Sequence, residues 1–143
     1  MFASSKRSVA AYAHVELESR VAAADPHGLI AMLFEGAIVS LGHAENALQR
    51  RDTVAKAKAI ARAVGIIGEG LRPSLDHSAG GALAVQLDEL YGYMMHRLLH
   101  ANLKNDAAAV GEVKRLLGEL RGAWMAIKDR ASIAAKAPSA VKV

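Results

Sequence analysis

Apolar side chains recur three and four positions apart in four stretches of the chain, which is the spacing of one face of an α-helix. The first stretch begins at Asp25 and Pro26, an acidic N-cap followed by proline at the first helical position, where no N–H is missed. It continues to about Arg50. The repeat of Leu, Ile, Phe and Ala along it predicts a long amphipathic helix.

A second helix is expected after a short turn. Asp52 or Thr53 caps it, and its inward stripe begins at Val54. Pro73 ends or kinks this helix, because proline lacks an N–H and clashes with the preceding turn. The residues at 76–81 are rich in turn formers and predict the longest connection.

The third helix is expected at about 82–103, and the fourth begins at Asn105 or Asp106 and ends near Arg130. On the third helix the apolar spacing places these side chains inward: Leu83, Leu87, Leu90, Tyr91, Met94, Leu98 and Leu99. Four helices joined by short connections predict an all-α fold, an antiparallel four-helix bundle.

Three regions follow from this pattern. We expect residues 1–24 to be a mobile N-terminal leader with a short apolar stripe that includes Val9 and Tyr12. Residues 25–130 form the bundle. Residues 131–143 mix Ala, Lys, Pro and Ser without periodicity, which predicts a disordered tail.

Most of the 12 glycines fall inside the predicted helices. Each glycine in a helix interior costs about 1 kcal/mol relative to alanine. So many of them indicate a mixture of very close helix approach and a bundle that is loose when alone. We therefore expect a modest unfolding temperature for the free protein, raised clearly by its partner.

Composition limits the possible functions. The 143-residue chain has no cysteine, so disulfides and thiolate chemistry are excluded, and no apolar run approaches the roughly 20 residues of a membrane span. A net charge of +4 raises the question of nucleic-acid binding. However, the basic pairs at 50–51 and 114–115 adjoin acidic residues, which favours solvated helix faces. We expect a cytoplasmic protein without nucleic-acid binding or membrane insertion.

The sequence offers little for catalysis or metal binding. His96 and His100 lie four residues apart on one helix face and match two zinc ligands, but no Asp or Glu is placed as a third. Asp88 and Glu89 are adjacent in sequence, so their side chains diverge and do not pair for acid–base chemistry. The chain is therefore expected to be no enzyme and to hold no metal or cofactor.

A binding surface is the better interpretation of the third helix. Tyr93 and Met95 cannot share the inward face with Tyr91 and Met94, because positions two apart lie about 200° around a helix. At least one of them points outward or into a groove, and methionine suits adaptable binding surfaces. For Tyr91, Met94 and Trp124 a place in the core is equally consistent with the pattern.

Several motifs occur in order along the chain: AY at 11–12, ADPHGLIAMLFEGA at 24–37, LD at 75–76 followed by GG at 80–81, LYGYM at 90–94, RLLHANLKND at 97–106 and LRGAW at 120–124. Together they resemble the flagellin export chaperone FliS family over about residues 11–128. The chain departs from the family pattern at His27 and Gly28, where acidic residues are common, and at Met95, which replaces an aromatic residue.

The resemblance implies a cytosolic chaperone that binds the disordered C-terminal segment of flagellin in hydrophobic grooves. It would prevent premature polymerisation and deliver flagellin to the flagellar type III export apparatus. Free subunits could self-associate as a homodimer. An alternative interpretation is a helical-bundle chaperone or sequestering regulator for another secreted or assembly partner.

The resemblance also suggests which residues make contact. We expect Val9 and Tyr12 of the leader to cover a groove. The residues expected to contact flagellin are Leu29, Met32, Leu33, Tyr93, Met95, Leu99, Leu103 and Trp124.

Overall fold

The computed structural model describes the backbone of residues 25–135 and the side chains of residues 25–127. This part of the chain contains no strand and consists of four α-helices, with a π-helical segment directly after the second: α1 (Pro26–Gln49), α2 (Thr53–Gly65), the π-helical segment (Ile66–Leu71), α3 (His77–Lys104) and α4 (Ala107–Ala135). The predicted all-α four-helix bundle is confirmed.

Aspartates begin each helix. Asp25, Asp52 and Asp106 each accept a hydrogen bond from the backbone N–H three residues further on, at 2.6, 3.1 and 3.2 Å. Asp76 caps α3 in the same way. These bonds satisfy N–H groups that have no partner inside the helix, and the caps predicted at Asp25, Asp52 and Asp106 are confirmed.

The core combines a few large apolar side chains with many alanines. Fully buried alanines on several helices let the backbones approach closely. The largest fully buried side chains are Leu41, Ile60, Ile67, Leu71, Met94, Leu98, Leu117, Val110 and Val113. Tyr91 is also buried, with 3% of its surface exposed. The third helix therefore contributes Tyr91 and Met94 to the core. The sequence was equally consistent with a core position and with a binding surface for both.

Ion pairs between helices show which helices are neighbours. Lys114 on α4 lies 2.7 Å from Glu45 on α1. Arg72, just after the π-helical segment, lies 2.8 Å from Asp88 on α3. Half-exposed ion pairs of this kind add little stability. They show that α4 lies beside α1 and that the end of the second helical stretch lies beside α3.

The second helical stretch widens before it ends. The Arg72 N–H donates to the Ile67 carbonyl at 2.9 Å, a π-type bond that spans five residues. Glycines allow tight packing here: a Cβ built at Gly70 would lie 3.1 Å from Leu33 Cδ2, and one at Gly68 would lie 2.8 Å from Met95 Cε. The stretch ends before Pro73, as predicted, whereas the π-helical geometry was not predicted.

Other glycines have open space beside them. A Cβ at Gly65, Gly92, Gly118 or Gly122 would meet nothing within 4 Å. These glycines therefore have different effects. Gly68 and Gly70 of the π-helical segment permit close approach, whereas Gly65, Gly92, Gly118 and Gly122 only lower the stability of their helices.

Two helix boundaries differ from the predictions. The connection expected at 76–81 contains a helical turn, and the break falls at Gly81, whose φ of 52° and ψ of −127° suit only glycine. The backbone of α4 continues to Ala135, five residues past the expected end at Arg130, because Ala131, Ala134 and Ala135 are strong helix formers. Disorder was expected over residues 131–143, of which 136–143 lie outside the described residues, as does the leader.

Several residues predicted to point inward are exposed. Val54 is 65% exposed, Leu83 61% and Leu99 58%. Val54 lies in the first turn of α2, and Leu83 follows the break at Gly81, which rotates the helix start. Leu99 lies about 100° around the helix from the buried Leu98, and alanine-mediated packing keeps the buried arc narrow.

Helix α1 is more apolar on average than its interrupted apolar runs suggest. Of the described helices, it alone is long and apolar enough to cross a membrane by length and composition. No uninterrupted apolar run in α1 is long enough to span a membrane, because charged residues such as Glu45 interrupt it, but its mean hydropathy remains high. Its Phe34 and Leu41 are buried and Glu45 pairs with Lys114, so α1 packs as a core helix of the bundle.

Candidate partner-binding surface

One face of α3 presents apolar side chains to solvent. Val85 is 50% exposed, Leu99 58% and Leu103 77%. At about 100° per residue, positions 85, 92, 99 and 103 fall within a narrow arc, and Gly92 leaves the middle of that arc flat. We call Val85, Gly92, Leu99 and Leu103 the α3 stripe. An apolar arc this exposed is characteristic of a partner-binding surface.

Met95 borders the α3 stripe on the side of the second helical stretch. Its terminal methyl lies close to Gly68, and its sulfur lies 4.0 Å from Arg72 Nη1. The side chain is half-buried. Because methionine is flexible and polarizable, this edge of the stripe can adapt to the shape of a partner.

Helix α2 lies antiparallel beside α3. Lys56 contacts Asn102 near one end of the pair, and Arg72 contacts Asp88 near the other. This register places Ala61 level with Leu99 to within about one helical turn. Ala61 is exposed and Val54 is 65% exposed, so α2 offers a low apolar border.

We call the resulting surface the α2–α3 groove. It is made by the following residues: Val54, Ala61 and Gly68 on the side of α2, and Met95, Leu99 and Leu103 on α3. Its α2 side is low because alanine and glycine have little side chain. An amphipathic helix or an extended apolar segment fits such a shallow apolar strip.

Lys56 binds the C-terminal end of α3, next to Leu103 of the groove. Only 5% of Lys56 is exposed, and its Nζ donates to the Asn102 carbonyl at 2.8 Å and to Asn105 Oδ1 at 2.5 Å. Carbonyls in the last turn of a helix lack partners, and a cation there also favours the helix dipole. Asn105 itself adopts the left-handed conformation, with φ of 53°. The buried lysine therefore fixes the helix turn that carries Leu103.

Tyr93 lies on a different side of α3. Its ring is 44% exposed, and its hydroxyl donates to Glu112 Oε2 on α4 at 2.6 Å. Arg97 Nε donates to the other oxygen of Glu112 at 2.8 Å. These bonds from Tyr93 and Arg97 lower the pKa of Glu112, and the same carboxylate raises the pKa of Tyr93. Tyr93 thus links α3 to α4 and is not part of the α2–α3 groove.

The other predicted contact residues are distributed over α1 and α4. Leu33 packs against Gly70, which gives it a structural role. Met32 and Trp124 are half-buried on α1 and α4, and Leu29 is half-buried in the first turn of α1. Of the predicted residues, the structure brings Met95, Leu99 and Leu103 onto one surface. The groove-covering residues Val9 and Tyr12 lie outside the described residues.

Several residues of the α3 stripe and the α2–α3 groove were not predicted from the sequence. Val54 was predicted to be inward, and Val85 was not assigned at all. The seven-residue spacing of positions 85, 92 and 99 was the available signal, because seven residues make nearly two whole turns of an α-helix. This spacing is hard to recognise because the middle position is Gly92, and glycine is not counted as an apolar side chain.

The two histidines considered as metal ligands are arranged differently from each other. Both are exposed, but His100 Nε2 lies 3.2 Å from Asp106 Oδ2 on the cap of the next helix. Within residues 25–127, no three His, Asp or Glu side chains converge on a point that would hold a metal ion. His100 instead supports the aspartate that caps α4.

Comparison with known proteins agrees with the motif resemblance. A family model described as flagellar protein FliS matches residues 8–131. The flagellar secretion chaperone FliS of Salmonella typhimurium is 48% identical over 124 residues, covering 87% of this chain and 92% of the relative. The flagellar secretion chaperone FliSB of Pseudomonas aeruginosa is 43% identical over 113 residues, covering 79% and 89%.

A more distant relative also matches most of the chain. The flagellar secretion chaperone FliS of Bacillus subtilis is 31% identical over 107 residues, covering 75% of this chain and 78% of the relative. The family model spans α1, α2, the π-helical segment, α3 and most of α4, including both helices that border the α2–α3 groove. On this evidence the chain belongs to the FliS family of flagellar proteins.

Proposed function

We propose that this chain is a cytoplasmic flagellar secretion chaperone that binds the disordered C-terminal segment of flagellin. It keeps that segment from polymerising and delivers it to the flagellar type III export apparatus. Membership of the FliS family and the names of the relatives support the class of function. The observation that carries the binding mechanism is the exposed α2–α3 groove, and above all Leu99 and Leu103, exposed by 58% and 77%.

The energetics suit a disordered cargo. Ordering a disordered segment costs about 2–5 kcal/mol or more. Fully burying one leucine-sized side chain returns about 1.5–3 kcal/mol. Leu99, Leu103 and Val54 on the chaperone, with matching side chains on the cargo, are enough to offset that cost. A folded cargo would gain less, because its own apolar residues are already buried.

A peptide titration tests the mechanism. The purified protein is titrated with a peptide of the flagellin C-terminal segment, and helix gain is followed by circular dichroism. Leu99→Glu combined with Leu103→Glu should weaken binding at least tenfold, because two charges replace apolar contacts. Val39→Glu is the matched control, since Val39 is 49% exposed but lies on α1. Unchanged affinity in the double variant would refute the groove mechanism.

The leader has a proposed role in the same groove. We propose that Val9 and Tyr12 cover apolar surface until flagellin displaces them. Tyr12→Ala should then change flagellin affinity with little change in helicity, measured by the same titration and by the dichroism of the free protein. Equal affinity of the variant and the unmodified chain would remove this role.

A different cargo is the alternative. The same groove would serve a chaperone or a sequestering regulator of another secreted or assembly partner. A pulldown with flagellin truncated at its C-terminus separates the two, because the proposed function requires the truncation to abolish capture. Self-association of the free protein through the groove is a further proposal, and Leu103→Glu should then shift a dimer to monomer in sedimentation.

A further inference from the structure

A second concave surface lies between α1 and α2. It is a cleft of about 470 Å³ that opens to solvent, and its rim carries the basic side chains His43, Arg50, Lys58 and Arg62. We call it the α1–α2 cleft. Along the sequence the basic residues adjoin acidic ones, but in the fold α2 brings Lys58 and Arg62 beside α1.

The floor of the α1–α2 cleft is made of small residues. Gly42, Ala55 and Ala59 line it, and a Cβ at Gly42 would meet nothing within 4 Å. Ser40 lies beneath and turns its hydroxyl to the Gly36 carbonyl at 2.9 Å. The floor therefore leaves room for a guest and offers it little to bond with, so recognition must come from the rim.

The positive charge on the rim is poorly balanced. No Asp or Glu lines the cleft. Arg50 lies 3.5 Å from Asp52 and donates to Asn46, which uses part of its bonding capacity. Among the described side chains, Lys58 and Arg62 have no ion-pair partner, although they lie one turn apart and repel each other. Such a concave, one-signed surface concentrates an attractive potential for anions.

We propose that the α1–α2 cleft binds an acidic peptide segment of a second protein. Carboxylates complement both rim cations of α2, and the Arg62 guanidinium can hold one carboxylate by two parallel hydrogen bonds. Lys58 and Arg62 are spaced to meet side chains on successive turns of a helix, or alternate residues of an extended chain.

The lining favours a peptide over nucleic acid. Single-stranded nucleic acids are usually held by aromatic side chains on which bases stack, together with basic side chains. No aromatic residue lines the α1–α2 cleft. Helix α2 separates the cleft from the α2–α3 groove, because Lys58 and Arg62 project to its α1 side while Gly68 contacts Met95 on its α3 side. The acidic segment is therefore a ligand additional to an apolar cargo.

The test uses the full-length protein and defined probes. Fluorescein-labelled decaglutamate is titrated and followed by anisotropy, with decaglutamine and single-stranded decauridylate as comparison probes. We expect decaglutamate to bind, decaglutamine not to bind, and the affinity to fall as salt is raised, because ions screen exposed charges.

Two double variants with the same change in net charge decide whether the site is the cleft. Lys58→Glu with Arg62→Glu should lower decaglutamate affinity at least tenfold. Lys104→Glu with Arg115→Glu changes exposed cations outside the cleft and should lower it less than threefold. Lys58→Gln with Arg62→Gln should also lose affinity, and this milder variant keeps the test valid if charge reversal disturbs the fold. Circular dichroism checks that each variant remains helical.

Three results would overturn the proposal. One is the absence of decaglutamate binding at low salt. Another is an equal loss of affinity in both charge-reversal variants, which would indicate general attraction to a basic protein. The third is tighter binding of decauridylate than of decaglutamate, which would make the cleft a nucleic-acid site. Flagellin-peptide titration of the same variants keeps this question separate from the proposed chaperone function.

Discussion

The Tyr93 hydroxyl donates a 2.6 Å hydrogen bond to Glu112 and so joins the middle of α3 to the first turns of α4. Glu112 also accepts from Arg97, one turn after Tyr93 on the same helix. A tyrosine that sequence patterning assigns to a binding surface thus has a partner within its own chain. Its exposed ring edge remains accessible, but its polar end is occupied.

Replacing Tyr93 tests this structural role. Tyr93→Phe should lower the thermal midpoint slightly and leave flagellin-peptide affinity within twofold, because Arg97 still holds Glu112. Glu112→Gln should lower the midpoint further, since Tyr93 and Arg97 both lose a charged acceptor. Thermal melts at pH 7 and the peptide titration provide the readouts. A tenfold loss of affinity in Tyr93→Phe would show that the hydroxyl contacts cargo instead.

Acid should destabilise the bundle through a few carboxylates. Hydrogen bonds from Tyr93 and Arg97 lower the pKa of Glu112, and a bond from Arg72 lowers the pKa of Asp88. These two carboxylates therefore bind protons more readily in the unfolded chain than in the folded one. The stability that they contribute is fully present at neutral pH and is lost as pH falls below about 4.5.

The measurement is the thermal midpoint between pH 7 and pH 3. The thermal midpoint of Asp88→Asn should be lower at pH 7 and should decline less steeply with acid, because the ion pair with Arg72 is already absent. Glu35→Gln is the control, since Glu35 is exposed and its contact with Arg121 is long, at 3.8 Å. A slope for Asp88→Asn that parallels the unmodified chain would rule out this origin of acid sensitivity.

The turn between α1 and α2 contains an avoidable strain. Arg51 has a φ of 56°, the left-handed conformation, which costs a residue with a Cβ about 1–2 kcal/mol. Arg51→Gly should raise the free energy of unfolding by about 0.5–1 kcal/mol, because glycine's extra freedom in the unfolded chain offsets part of the gain.

Asn105 provides the opposite case. It also has a positive φ, of 53°, but its side chain accepts from the buried Lys56. Asn105→Gly should therefore lower the thermal midpoint while Arg51→Gly raises it. Denaturant melts of both variants make the comparison, and stabilisation by both substitutions would mean that the Lys56 contact adds nothing.

Helix glycines should fall into two groups when replaced. A Cβ at Gly118 or Gly122 meets open space. Gly118→Ala and Gly122→Ala should therefore each raise the free energy of unfolding, by at most about 1 kcal/mol. Gly68→Ala should gain less and shift Met95, whose methyl would lie 2.8 Å from the new Cβ. Melting curves and flagellin-peptide affinity distinguish the groups. A free protein that melts above about 90 °C would contradict the looseness expected from these glycines.

Local chemistry explains how much of the fold was predictable. Aspartate caps and Pro73 act on neighbouring residues, so the helix starts and the end of the second helix follow from short motifs. Periodicity did not distinguish Leu98 from Leu99, because adjacent residues both border a wide apolar arc. Only packing, set here by buried alanines on neighbouring helices, decides that Leu98 is fully buried and Leu99 exposed.

The candidate surfaces depended even more on tertiary contacts. Met95, Leu99 and Leu103 were predicted because they lie on one signature helix. Val54 and the rim of the α1–α2 cleft come from a different helix, and their position depends on how α2 is set against its neighbours. Neither a motif nor a period contains that information.

The π-helical segment acts as one extra residue within an otherwise regular helix, as π-bulges generally do. Winding the same residues, Ile66 to Leu71, as an ordinary α-helix would turn everything beyond the segment by about 100°. Arg72 would then swing away from Asp88, and the glycine surfaces against Leu33 and Met95 would no longer face them together. The widened turn thus sets the rotation of the helix so that one short segment packs against both α1 and α3.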